Sequence, residues 1–92
     1  IDELVGELGL KRVDYIKMNI EGAERAALEG GAEVIRKFRP RLTISLEHRY
    51  EDPRAIPEAV LRIHGGYRAL PGRCVEISAS LRPAVMSFSA AP

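Results

Sequence analysis

The chain predicts an α/β fold with a partly parallel sheet, and three features lead there. Residues 13–20 form a short run in which Val13, Tyr15, Ile16, Met18 and Ile20 put apolar groups on both faces, the pattern of a strand buried in a parallel sheet. Residues 42–47 form a second strand in which Leu42, Ile44 and Leu46 alternate with Thr43 and Ser45. Between them, residues 22–38 carry helical periodicity over a length that suits a right-handed crossover, so the two strands should be parallel neighbours.

Each element has local reasons. Residues 1–10 read as a short amphipathic helix with Leu4, Val5 and Leu8 on one face, Asp2 as its cap and Gly9 as its stop. In residues 22–38 the apolar face is assigned to Ala23, Ala27, Val34 and Phe38, helped by Ala26 and Ile35. The Gly30-Gly31 pair either allows close packing on the sheet or divides this stretch into two shorter helices. Arg36, Lys37 and Arg39 suit the negative end of the helix dipole, and Pro40 stops the helix. A third helix starts at Asp52-Pro53, takes its apolar face from Val60, Leu61 and Ile63, and ends at Gly65-Gly66. Residues 67–70, 74–78 and 84–89 are strand-like, and the last two read as an antiparallel hairpin. The resulting order is β-α-β-α-β-β.

Ninety-two residues suggest one small domain burying about 60–70% of its unfolded surface. A formal net charge of +1 makes no case for nucleic acid or an anionic membrane, and three tyrosines with two phenylalanines offer no stacking platform. No apolar run reaches the ~20 residues of a membrane span. The lone cysteine, Cys74, excludes an internal disulfide and fits a reducing, cytoplasmic setting. It reads as a small core residue. The opening residues read as the interior of a longer protein, so an upstream part is expected.

Ligands of open α/β sheets sit outside the carboxyl ends of the strands, which singles out two places. Asn19, Glu21 and Glu24 follow the first strand, and Glu47 and His48 follow the second. Glu21 can act as a proton acceptor, hold a cationic group, or simply complement the helix dipole. Asn19 can hydrogen-bond a ligand but cannot act as a base. Glu24 reads as a first-turn acid. His48 can be a base, a metal ligand or a plain surface residue. No ligand spacing identifies a metal. Lys17, inside a strand run, is expected to snorkel to the sheet edge.

The nonapeptide I-K-M-N-I-E-G-A-E at 16–24 resembles the I-K-[ILM]-D-[IV]-E-G-A-E signature of FkbM-type methyltransferases. The likeness continues through A-L-E-G-G-A, R-P-R-L-T-I-S-L-E-H-R and E-D-P-R-A-I-P, and weakly through Y-R-A-L, from about residue 1 to 67. One departure stands out: Asn19 occupies the place where the family usually has Asp. The resemblance implies half of a Rossmann-like methyltransferase sheet, its fourth and fifth strands followed by a reversed closing hairpin. It also implies S-adenosylmethionine as methyl donor and a small-molecule acceptor, a hydroxyl of a sugar or secondary metabolite. Under it, Glu21 and His48 become the candidate catalytic residues and Asn19 the candidate cofactor contact. The chain has no G-x-G turn, so it looks like the carboxyl-terminal, acceptor-side half of such a domain without its donor-binding half. Its first strand should then present an unpaired edge prone to self-association. The alternative is a non-catalytic remnant or partner-binding module that kept the fold.

Overall fold

The computed structural model describes residues 1–77 and 80–91. Their order is α1 (Asp2–Leu8), β1 (Tyr15–Met18), α2 (Glu24–Glu29), α3 (Ala32–Phe38), β2 (Arg41–Ser45), α4 (Asp52–Ile63), β3 (Tyr67–Pro71), β4 (Cys74–Ile77), β5 (Ser80–Pro83) and β6 (Val85–Ala90). The Gly30-Gly31 pair does divide the crossover into two helices, since Gly30 closes α2 and Gly31 opens α3.

Four strands make the main sheet in the order β1-β2-β6-β3. β1 and β2 are parallel, with Met18 opposite Ile44. β6 runs antiparallel to both β2 and β3, so β3 is parallel to β2 with β6 wedged between them. The expected closing hairpin is therefore corrected. β4 does not pair with the final strand; it pairs with β5 in a separate ribbon, which frees β6 to fill the slot between β2 and β3. Ser78, the expected end of that earlier strand, lies outside the described residues. The ribbon joins the sheet at its base, where the Gly72 N–H donates to Val85 O at 2.8 Å and the Ala84 N–H to Arg73 O at 2.7 Å. Cys74 is exposed rather than in the core.

The core lies on one face of the sheet. Met18, Leu42, Ile44, Met86 and Phe88 point from the strands to Leu28 of α2, Ile35 of α3, and Ile56 and Val60 of α4. Tyr67 closes one end, its hydroxyl donating to Pro40 O at 2.6 Å, with burial pushing its phenol up to about 12. Successive crossovers of one hand, moving in one direction across a sheet, put their helices on the same side. This accounts for an opposite face that the helices leave bare.

Three expectations about faces change. β1 is an edge strand with alternating burial, Tyr15 and Lys17 outward and Met18 inward, and is not buried on both faces. Lys17 accordingly needs no snorkelling. In α2 the buried stripe is Glu24 and Leu28, while Ala23 and Ala26 are exposed. In α1 no residue is buried, and Leu4 and Leu8 are 56% and 63% exposed. Asp2 does not cap its own helix either. Its carboxylate accepts the Glu33 N–H at 3.1 Å and the Val34 N–H at 2.9 Å, capping α3 from a distance. That polar clamp, together with the Asp2 N–H to Gly30 O bond of 2.8 Å, fastens one end of α1 and leaves its leucines in water.

Candidate active site at the carboxyl edge of the sheet

The site is built on a turn. After β1 the chain reverses through residues 20–23, with the Ala23 N–H donating to Ile20 O at 3.3 Å. Both central residues are left-handed, Glu21 at φ +54° and Gly22 at +99°, the signature of a type I′ turn. Gly22 meets this demand without strain. Glu21 does not, since a side chain at positive φ costs about 1–2 kcal/mol.

Glu24 holds that strain in place. Its side chain is fully buried, and it reaches back beneath the turn. Oε2 accepts the Ile20 N–H and Oε1 the Gly22 N–H, both at 2.9 Å. A carboxylate bound by two backbone donors survives burial where an unpaired one would not. From the other side, Arg49 Nε–H donates to Gly22 O at 2.7 Å. Its guanidinium lies so close that a Cβ on Gly22 would stand 3.2 Å from Nε. The loops that follow β1 and β2 are thereby tied together.

This brings Asn19 and His48 into contact. His48 Nε2 lies 2.8 Å from Asn19 Oδ1 and 4.0 Å from Glu24 Oε2. An amide oxygen and a carboxylate on the same side favour the proton on Nε2, so Nδ1 keeps the free lone pair. The His48 side chain is 23% exposed, open to a ligand yet held. Glu21 stands apart: it is exposed, and the turn aligns its backbone rather than its carboxylate. Asn19 and His48 are therefore joined directly, Glu21 only through the turn. Glu47 is exposed in the next loop. Among the described residues, no cluster of three His, Cys, Asp or Glu side chains is placed to hold a metal ion.

Sequence reasoning passed over two residues here. One is Glu24, read as a first-turn acid. The other is Asp52, read only as a helix start. Asp52 is 1% exposed, both its oxygens lack a hydrogen-bond partner, and its nearest cation is Arg25, with Nε 3.9 Å from Oδ1. Burial first, then the charge of Glu24, hold its carboxyl above the usual range, against the pull of Arg25, Arg49 and His48. A signal for both was present. Glu24 precedes Leu28 by four residues, and Asp52 precedes Ile56 and Val60 at the same step, so each acid extends a buried helical stripe.

Some of these groups are engaged within the chain and others are open to a ligand. The oxygens of Glu24 are spent on backbone donors and the amide oxygen of Asn19 on His48. Glu21 and the Asn19 Nδ2 group are what the turn still offers a ligand.

Comparison with known proteins bears on this edge. The family model described as the Methyltransferase FkbM domain matches residues 1–69. Among curated proteins nothing matches. Among solved structures, the crystal structure of Methyltransferase FkbM from Methylobacillus flagellatus KT is similar, with 26% identity and a TM-score of 0.70 over 91% of this chain. The chain spans 22% of the length of that one. No helix among the described residues is long and apolar enough to cross a membrane. The turn after β1 that carries the shared motif, the parallel β1–β2 pair beneath it and the match over most of the chain agree: the chain belongs to the FkbM methyltransferase family.

Proposed function

We propose that this chain forms the acceptor side of an S-adenosylmethionine-dependent methyltransferase acting on a hydroxyl of a small molecule, a sugar or secondary metabolite. The observation that carries the reading is the 2.8 Å contact between His48 Nε2 and Asn19 Oδ1 at the carboxyl ends of two parallel strands. With its proton fixed on Nε2, His48 offers Nδ1 to the hydroxyl of the acceptor and takes up the proton that the oxygen releases. The imidazolium so formed is steadied by the Asn19 oxygen and by the Glu24 carboxylate 4.0 Å away. Glu21, at the exposed tip of the turn, is placed to meet a polar or cationic group of a ligand rather than to serve as the first base. S-adenosylmethionine, the usual donor of such enzymes, supplies an electrophilic methyl group.

The test is single-turnover methyl transfer in the intact enzyme that carries this segment, with circular dichroism as a check on folding. His48→Gln should lower turnover by about 10²–10⁴-fold. Asn19→Asp, which restores the usual family residue and makes a carboxylate–imidazole pair, should be tolerated or raise activity. Near-normal turnover in His48→Gln would sink the reading.

A further inference from the structure

The ribbon of β4 and β5 is the outer part of one long hairpin. Pro71 of β3 stands opposite Met86 of β6, and Cys74 of β4 stands opposite Pro83 of β5, so the register passes unshifted across the base of the ribbon. β3 is parallel to β2, and the hairpin therefore leaves the sheet at its carboxyl edge. There the Leu46 N–H donates to Ala84 O at 2.7 Å, which seats the base of the ribbon against the loop that carries Glu47 and His48. From Arg73 to Ile77, at ~3.4 Å per residue, the ribbon runs about 15 Å past the sheet.

The fold does not call for this projection. The Ala84 N–H already reaches Arg73 O at 2.7 Å, the bond that a two-residue hairpin turn between them would make. Among the described residues the two strands form a sheet of their own, and an isolated ribbon is marginally stable in water unless something lies against it. Its place suggests what does. Ligands of open α/β sheets sit beyond the carboxyl ends of the strands, and segments projecting there from a rigid scaffold commonly carry recognition. The loops with Asn19 and His48 lie within the residues that the family model matches, 1–69, and the ribbon lies beyond them. It offers polar groups. Arg73 and Glu76 are exposed, and the outer backbone of β5, which continues the strand beside β2, has no further strand to pair with among the described residues. Donors and acceptors in alternation suit a ligand rich in hydroxyl groups.

We infer that the ribbon walls the acceptor site and binds the remote part of an extended acceptor, a chain of several sugar rings whose reacting hydroxyl lies at His48. The inference rests on the acceptor-side reading above and names its substrate class. A single ring held at His48 leaves most of the ribbon untouched, whereas a chain of rings runs along it. Binding energy from such remote rings is expressed in turnover as well as in affinity.

The experiment compares linear glucan oligosaccharides of one ring and of four as acceptors for the intact enzyme that carries this segment. The readout is the ratio of kcat/KM for the longer acceptor to that for the shorter. It should be about tenfold or more. In a variant with Gly-Gly in place of residues 74–83 it should fall close to unity, with circular dichroism and donor binding as checks on folding. If that variant fails to fold, Arg73→Ala/Glu76→Ala decides, and should cut the ratio by about threefold or more. A ribbon with a purely structural role would lower both constants together and leave the ratio alone. A ratio near unity in the natural enzyme, an unchanged ratio in the folded variants, or no transfer to either acceptor would each overturn the inference. The His48→Gln result separates the two readings: slow transfer there, with no effect of acceptor length in the natural enzyme, removes the ribbon's role and leaves that of His48.

Discussion

At the scale of single residues, the buried carboxylates Glu24 and Asp52 behave oppositely. Glu24 is matched by two backbone donors at 2.9 Å, whereas Asp52 has none. Hydrogen bonds to a charged group contribute about 1.5–3 kcal/mol each, and an orphaned buried donor costs about as much. Glu24→Gln turns one acceptor into a donor facing an N–H, so urea unfolding should show a loss of about 1.5–3 kcal/mol. An unchanged midpoint would mean that the turn holds itself. For Asp52 the raised folded value sets the sign. The folded chain keeps a proton that the unfolded chain has already lost. The stability contribution is therefore full below the unfolded value of 3.8 and declines as pH rises through the folded one. Asp52→Asn should flatten this decline, narrowing the difference in unfolding free energy between acid and neutral pH. A steeper decline in the variant would show that Asp52 is charged and paired instead.

At the scale of elements, α1 is the weakest attachment. It is seven residues long, buries nothing fully, and is too short to persist alone in water. Its hold is the Asp2 carboxylate at the start of α3, at 2.9 and 3.1 Å. Asp2→Ala should cost about 0.5–2 kcal/mol, the usual worth of a cap. It should also speed amide exchange in α1 and the first turn of α3 together, while β2 and β6 keep their protection. Exchange confined to α1 would assign Asp2 to its own helix after all. The ribbon of β4 and β5 shows the same logic from the other side. β6 takes the slot between β2 and β3, and the preceding strands pair with each other.

At the scale of the whole molecule, the sheet is bounded on one side by β1, whose outer backbone groups face away from β2. Such an edge is a template for further pairing. The chain by itself is expected to self-associate through it at high concentration, with protection of alternate β1 amides rising with concentration. A monodisperse monomer in sedimentation, with β1 amides exchanging fast, would count against this. The two crossovers put the helices on one face and leave β1 at the margin, so both follow from one topology.

The sequence by itself determined the elements whose causes are local: the parallel β1–β2 pair and its crossover, the start of α4 at Asp52, and the family likeness that the match over residues 1–69 bears out; at Gly30-Gly31 it offered close packing or a helix break, and the structure chose the break. It also marked Asn19, Glu21 and His48 as neighbours at one edge, because strand ends in a parallel pair are adjacent by construction. What only the tertiary structure decided depends on partners distant in the chain. Period-two and period-3.6 patterns show that a face is apolar, but not whether another layer arrives to cover it. So β1 looked buried on both faces and has one face exposed, and α1 looked docked by leucines and is held by an aspartate. Glu24 and Asp52 carried the same first-turn signature, and only the backbone donors that the folded turn presents distinguish the satisfied carboxylate from the orphaned one.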